Sequence, residues 1–332
     1  MANSVQFSTL GNPSAFRELG AGGEGRVFEV PGLGNLVYKE FFPSASSIPD
    51  LQALARLISA RESWSPDEQS WMNERSVWPI SSVLENGRLK GLLMPRIPKL
   101  FYRSHGIKAN PRVVLCEWNY LALRNRFGSN PNIFSDVPRP ETFQVIELIL
   151  DLSRTMSLLH AHDIVLGDVS GKNLLWTDRP SFRVFVIDND GFRFIGTGGI
   201  ASPKQSPDWE DPVLAGRATT PESDIYKLGL AAFRALWSAG TDKPTMGRMN
   251  QSVGSGISKD VVDLIAQSTL GPTRPSSADW VSVLAPIVAL RGRPSVSVAP
   301  TASPNPSISR ATSTGVNRSR PVIPVHRNIP KP

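Results

Sequence analysis

The chain has 332 residues, 40% of them hydrophobic, and a formal net charge of +7. This length and apolar content allow a sizeable core, as about two domains or one two-lobed domain, and exclude a wholly disordered chain. The single cysteine, Cys116, excludes an internal disulfide and a cysteine-rich metal cluster, so we expect a small thiol in a reducing compartment.

The sequence shows no sign of a membrane segment. It has no run of about 18 uninterrupted apolar residues, and its first ten residues lack a charged start followed by an apolar stretch. The sequence therefore predicts a cytoplasmic protein without a membrane partner.

The positive charge is concentrated at the C-terminal end. Residues 291–332 carry seven basic residues and no acid, which leaves 29 basic and 29 acidic residues before them. With eight prolines and seven serines, this segment cannot bury enough apolar surface to offset the entropy of ordering. The sequence predicts a disordered tail that either docks a partner or is merely solvated. The neutral remainder offers no patch for a specific nucleic-acid partner.

The first hundred residues indicate a mostly antiparallel sheet with one or two helices. Strands are expected over 16–30, 36–41, 78–84 and 89–94, and helices over 51–60 and 66–77. Asn86-Gly87 is typical of a tight hairpin turn between the last two strands. Ser65 and Pro66 are typical of a helix start, with Glu68 at capping-box spacing.

The rest of the chain indicates mainly helices. Helices are expected near 113–126, over 145–159 and over 221–237, with a strand pair at 174–176 and 183–187. The helix at 221–237 is apolar nearly all round and should be buried. His160 and His162, at the end of the middle helix, are expected to face solvent or to cap it.

A glycine-rich pattern marks the turn of the first hairpin. Gly20, Gly22 and Gly25 are spaced as Gly-x-Gly-x-x-Gly, and glycine lets a backbone close over phosphates with its amides exposed. An ordinary flexible turn has the same composition. A dinucleotide fold is disfavoured because another strand follows instead of a helix. Lys39, on that strand, could reach the same phosphates or be a solvated edge residue.

Three polar residues give the strongest signal. Asp168 is followed five residues later by Asn173, and Asp188 ends an apolar strand. These supply a carboxylate to orient and deprotonate a hydroxyl, and two oxygen ligands for Mg²⁺. Asp and Asn are also common turn residues. Asp188 favours the functional interpretation, because an apolar strand has little other reason to end in a charge.

With these residues the chain resembles the protein-kinase superfamily over about residues 17–284, as a divergent bacterial kinase of the eukaryotic serine/threonine type. The resemblance implies an α+β, two-lobed fold with an antiparallel-sheet N-lobe (1–97) and a mainly helical C-lobe (98–290), followed by the tail (291–332). It also implies ATP and Mg²⁺ as cofactors, and protein substrates that include the chain itself as a candidate.

The resemblance gives each matching residue a role. Asp168 would be the catalytic base, and Asn173 and Asp188 the metal ligands. The nucleotide pocket would be formed by Gly20, Gly22, Gly25, Val27, Lys39 and Met94. Asp224 would hold the backbone of the catalytic loop. Arg274 would pair with an acid that closes the activation segment, either Glu210 or Asp211.

The departures from the family concern regulation and positioning. Leu166-Gly167 replaces the usual His-Arg, so control by loop phosphorylation is less expected than in typical members. Ser170 replaces a usual lysine, while Lys172 could reach the transferring phosphoryl group as a further catalytic residue. The acid that pairs with Lys39 stays open among Glu62, Glu68 and Glu74.

Two other functions stay open. Small-molecule kinases of the aminoglycoside or choline type also have Gly-Asp, Asn and Ile-Asp, as Gly167-Asp168, Asn173 and Ile187-Asp188 have here. Those families usually lack a clean glycine loop, which favours the protein kinase. The altered motifs also allow an ATP-binding pseudokinase scaffold without turnover.

Overall fold

The computed structural model describes residues 3–42, 50–125, 132–200, 206–213, 219–251 and 256–291. All of these belong to one compact unit, Met1–Arg293. The fold is α+β, with an antiparallel-rich sheet and several helices, which confirms the predicted class at that level. The predicted tail lies outside the described residues from residue 292 onward.

A six-stranded sheet is built from the N-terminal part of the chain. Its strands are β1 (Ser4–Gln6), β2 (Arg17–Ala21), β3 (Gly25–Glu29), β4 (Leu36–Phe41), β5 (Ser81–Glu85) and β6 (Arg88–Pro95). The order is β1-β5-β6-β4-β3-β2, with β1 parallel to β5 and the other neighbours antiparallel. Asn86 and Gly87 both have positive φ, as a tight hairpin turn requires, and they join β5 to β6 as predicted.

Side-chain alternation gives this sheet two different faces. Tyr38 belongs to a small core on one side, together with Leu10, Val30, Val83 and Leu93. Its neighbour Lys39 lies on the other face, directly opposite Val27 of β3. Met94 pairs with Val37, two residues before Lys39 on β4, and so shares that face. The three residues assigned to a nucleotide pocket therefore face the same way.

Helices make up most of the remaining chain. They are α1 (Leu51–Glu62), α2 (Pro66–Asn73), α3 (Asn119–Ala122), α4 (Thr142–Ala161), α5 (Pro221–Leu236), α6 (Met246–Asn250), α7 (Lys259–Leu270) and α8 (Ser277–Arg291). α2 begins with the predicted capping box of Ser65 and Glu68. α5 is buried almost throughout, as its sequence predicts, and packs against α4 and α7. No helix in the described ranges is both long and apolar enough to cross a membrane.

The main core contains buried tryptophans whose indole N–H groups are hydrogen-bonded, as burial requires. The indole N–H of Trp118 donates to the carbonyl of Ala231 (3.0 Å), and that of Trp280 donates to the hydroxyl of Ser268 (3.1 Å). Cys116 lies in the same core, and burial raises the pKa of its thiol to about 12. The only cysteine is therefore a packing residue and not a reactive one.

The prediction of a helix near 113–126 is largely wrong. Residues 112–115 form β8 (Arg112–Leu115), which joins β7 (Tyr102–Ile107) and β9 (Ile133–Ser135) in a second sheet, and only α3 is helical. The β-branched pair Val113-Val114 suits a strand better than a helix. The helix expected over 66–77 ends at Asn73, because the following residues extend alongside a later strand.

Two short antiparallel pairs carry the loops of the candidate site. β11 (Leu174–Thr177) pairs with β12 (Arg183–Val186), which confirms the predicted strand pair. β10 (Ile164–Val165) pairs with β13 (Arg193–Phe194). The segment holding Asp168 and Asn173 joins β10 to β11, and the turn holding Asp188 joins β12 to β13.

Candidate active site

Lys39 and Asp188 meet across 149 residues of sequence, with 2.6 Å between Lys39 Nζ and Asp188 Oδ1. The Lys39 side chain is only 10% exposed, whereas that of Asp188 is 40% exposed. Asp188 has a φ of +62°, a left-handed conformation that aspartate tolerates better than most residues. The structure thus brings together two residues that the sequence assigned to one site.

Asp168 is held by donors from two segments. The Asn173 side-chain amide donates to the Asp168 carboxylate (3.0 Å) and to the Asp168 carbonyl (2.8 Å). The backbone N–H and the hydroxyl of Ser206 both donate to Asp168 Oδ1, each at 3.1 Å. A serine hydroxyl of the chain is therefore hydrogen-bonded to this carboxylate. Sequence reasoning missed Ser206, because no local pattern distinguishes it from the chain's other serines.

Asn173 and Asp188 lie at the same end of the β11–β12 pair. The Ile187 N–H donates to the Asn173 carbonyl (2.9 Å), and this bond keeps Asp188, the residue after Ile187, next to Asn173. The side-chain nitrogen of Asn173 is used on Asp168, and this leaves its side-chain oxygen as a possible ligand. A carboxylate and an amide oxygen suit Mg²⁺, which protein sites often bind through one or two such groups plus phosphate and water.

A metal bound by protein carboxylates and imidazoles alone is not indicated. Among the residues that the structure describes, no group of three or more His, Cys, Asp or Glu side chains could hold a metal ion.

Asp224 of α5 supports the loop that precedes Asp168. Its buried carboxylate accepts the N–H groups of Leu166 (2.7 Å) and Gly167 (3.0 Å), as the family resemblance implied. Gly167 has a φ of +77°, and a Cβ there would collide with the carbonyl of Gly191. The loop before Asp168 thus packs backbone to backbone against the turn that follows Asp188.

The expectation that His160 and His162 face solvent or cap a helix is confirmed only for His162, the C-cap residue of α4, whose backbone N–H donates to the carbonyls of His160 and Leu159. His160 contacts Asp224 (3.2 Å) and the hydroxyl of Ser277 (3.1 Å) through its two ring nitrogens. His162 stacks on Trp64, with 4.7 Å between ring centroids, and lies close to Glu68. Position at a helix end does not show which elements pack against that end, so these tertiary contacts leave no signal in the sequence.

The glycines of the β2–β3 turn differ in what surrounds them. A Cβ at Gly20 or Gly22 would meet no atom within 4 Å, so the backbone there is open to a ligand. A Cβ at Gly25 would collide with the Glu40 carbonyl on β4. Strand packing therefore requires glycine at position 25, independently of any phosphate contact.

Gly25→Ala should lower the free energy of unfolding by about 1–3 kcal/mol, because the added methyl group overpacks the contact between β3 and β4. Gly23→Ala is the matched control, since a Cβ at position 23 meets no atom within 4 Å. We expect it to change stability by about 0.5 kcal/mol or less. Urea unfolding of both variants measures the difference, and equal stability of the two would contradict this account of Gly25.

The remaining predicted charges lie around this group. Lys172 is exposed, and its charge partly opposes the rise in the pKa of Glu117 that burial causes. Its predicted contact with a phosphoryl group stays a prediction. The three acids considered as partners of Lys39 make their contacts elsewhere: Glu62 with Asn3, Glu68 with Ser65 and His162, and Glu74 with Arg75 and Arg183.

Arg274 pairs with Asp211 and not with Glu210, the alternative that the sequence left open. Both guanidinium Nη atoms bond the Asp211 carboxylate, Nη2 at 2.8 Å from Oδ1. Arg274 also donates to the carbonyl of Glu222 (2.9 Å). The Asp211 side chain is completely buried, whereas Glu210 is exposed.

No family model matches the chain. A similar curated protein is "Uncharacterized protein sll0787" of Synechocystis sp. (strain ATCC 27184 / PCC 6803 / Kazusa), which is 30% identical over 107 residues. This similarity covers 29% of the present chain and 32% of that protein. The chain thus matches about a third of the relative's length, and the comparison establishes neither a family nor an activity.

Proposed function

We propose that the chain is an ATP- and Mg²⁺-dependent protein kinase of serine/threonine specificity, with a two-lobed, protein-kinase-like fold. The observation that carries the proposal is the ion pair between Lys39 and Asp188. It brings the ammonium of Lys39, a residue of the sheet, to the loops that hold Asp168 and Asn173. A lysine, a carboxylate base and two oxygen ligands are the parts that phosphoryl transfer needs.

The arrangement of the sheet supports the nucleotide part of this proposal. The glycine turn joins β2 to β3, and β3 pairs directly with β4, which carries Lys39. Val27 and Met94 share the face of Lys39 and supply apolar surface for a base. We infer that nucleotide lies between this face and the Asp168 loop. The lobe boundaries at 97 and 290, the tail's docking role and the cytoplasmic location stay predictions.

Each residue then has a defined task. Bound ATP supplies the phosphoryl group, and Mg²⁺ neutralises its charge. Lys39 contributes a positive charge to the phosphates, while Asp188 and Asn173 offer oxygen ligands to the cation. Asp168 orients the acceptor hydroxyl and takes its proton, and the Asn173 amide keeps the carboxylate in place.

Ser206 supports a protein hydroxyl as the acceptor. Its hydroxyl and its backbone N–H both bond Asp168 Oδ1, so a serine on a polypeptide backbone fits against this carboxylate. A serine or threonine of another protein, or of this chain, could take the same position. This observation favours a protein kinase over a small-molecule kinase of the aminoglycoside or choline type.

The deciding experiment incubates purified protein with γ-labelled ATP and Mg²⁺, alone and with generic serine- and threonine-containing proteins. Label in protein that disappears in EDTA is the expected result. Transfer to aminoglycosides or choline instead of protein would replace the proposal with a small-molecule kinase. ATP binding without turnover on any acceptor would leave a pseudokinase scaffold.

Asp188→Ala should weaken Mg²⁺-dependent ATP binding by about tenfold or more, since it removes an oxygen ligand of the cation. Nucleotide titrations with and without Mg²⁺ separate this effect from a general loss of affinity. Asp263→Ala is the control, because Asp263 is an exposed acid on α7 paired with Lys259. The same gain in affinity from Mg²⁺ in Asp188→Ala as in wild type would remove Asp188 from the metal site.

A further inference from the structure

Lys227 is a completely buried lysine in the middle of α5. Lysine is almost never fully buried unless its ammonium is paired. Here Lys227 Nζ donates to the carbonyl of Gly167, 60 residues away in sequence. Sequence reasoning did not single out this residue, because the pattern in this helix indicated Asp224 and not Lys227 as the residue that holds the loop.

Charges on four elements face this ammonium. Asp224 on its own helix, Asp168 in the loop and Asp211 ahead of α5 favour its charged form, whereas Arg193 of β13 disfavours it. Burial is the largest influence and lowers the pKa of Lys227 below the usual value for lysine. Three acids thus favour the charged form of a lysine that has no contact with solvent.

Both backbone polar groups of Gly167, which belong to the two peptide units that flank its Cα, are bonded by side chains of one helix. Asp224 accepts its N–H at 3.0 Å, and Lys227 donates to its carbonyl. Residues three apart on a helix lie on the same face, so both side chains reach the loop together. Gly167 is in the left-handed region and directly precedes Asp168. Asp224 and Lys227 therefore hold the backbone that leads into Asp168.

We propose that Lys227 is a positioning residue for phosphoryl transfer, which holds the carbonyl of Gly167, in the peptide unit that leads into Asp168, and so orients the Asp168 carboxylate. The inference rests on the function proposed above. A purely structural lysine would satisfy a buried carbonyl and nothing more. Its loss would then lower stability without changing the turnover of the folded protein.

Lys227→Met removes the charge and the donor while keeping an unbranched side chain. We expect it to lower kcat by about tenfold or more, since small misplacements of a catalytic group cost up to about a hundredfold, with ATP affinity within about twofold of wild type. Arg103→Met is the matched control. Arg103 is another buried cation that donates to backbone carbonyls, those of Leu100 and Tyr102, and it also pairs with Asp178. It should retain the wild-type kcat.

The pH dependence gives a readout that a structural role would not move. In wild type the rate should fall on the alkaline side as Lys227 loses its proton, below the range usual for lysine. Lys227→Arg keeps a charge at that pH, so the alkaline fall should move to higher pH. Lys227→Met should be slow at every pH and lack this alkaline fall.

Hydrogen exchange of the 164–173 segment separates this inference from the proposed function. Lys227→Met should speed exchange there and Arg103→Met should not, even if wild type transfers no phosphate, which would refute only the kinase activity. A folded Lys227→Met protein with unchanged exchange, or with kcat within about twofold of an active wild type, would overturn the positioning role.

Discussion

Replacing Asp168 with asparagine should lower the rate of phosphoryl transfer by about a hundredfold or more, while ATP affinity changes by about twofold or less. An asparagine amide cannot take the proton of an acceptor hydroxyl. Its NH₂ group would also face either Ser206 or Asn173, which both act as donors toward Asp168. ATP affinity should survive because the proposed nucleotide contacts come from the sheet and from Asp188.

Asp163→Asn is the matched control for this substitution. Asp163 is exposed and has a φ of +58°, a conformation that asparagine also tolerates. The same isosteric change there should leave transfer intact. Single-turnover transfer of label from ATP, with ATP binding measured in parallel, distinguishes chemistry from affinity. Asp168→Asn with more than about a tenth of the wild-type rate would remove Asp168 from the role of base.

The spacing of the motif was enough to predict site residues that lie close together in sequence. Asp168 and Asn173 are five residues apart on one loop, and their contact follows from local geometry. The resemblance to a family placed Lys39 and Asp188 in one site, but it expected Glu62, Glu68 or Glu74 to pair with Lys39. The ion pair of Lys39 with Asp188, 149 residues apart, was not predicted, since nothing local to either residue indicates the other.

The contacts that sequence reasoning missed all depend on tertiary packing. Ser206 reaches Asp168 across 38 residues, and Lys227 reaches Gly167 across 60. Ser206 belongs to no local pattern, and the pattern that includes Asp224 gave Lys227 no role, because a lysine in an apolar helix does not show what lies opposite. The reason for glycine at position 25 also depends on tertiary packing. The sequence alone does not show whether this glycine contacts a phosphate or allows β3 to approach β4 closely.

Arg274→Met should destabilise the fold by about 3–5 kcal/mol, which is a large share of the free energy of unfolding for a protein of this size. The Asp211 carboxylate is completely buried, and the variant leaves this charge without the guanidinium that bonds both of its oxygens. The Glu222 carbonyl loses a donor as well. Urea unfolding of wild type and variant measures the effect.

The double variant Asp211→Leu/Arg274→Met shows where that cost arises. If it comes from a buried carboxylate that has lost its guanidinium, replacing both partners with apolar side chains should recover most of the loss, because well-packed apolar residues often match or exceed a buried ion pair in stability. If the pair is needed to hold the segment ahead of α5 in one conformation, the double variant should stay as unstable as Arg274→Met. A single variant within about 1 kcal/mol of wild type would show that the guanidinium of Arg274 is not needed to keep the Asp211 carboxylate buried.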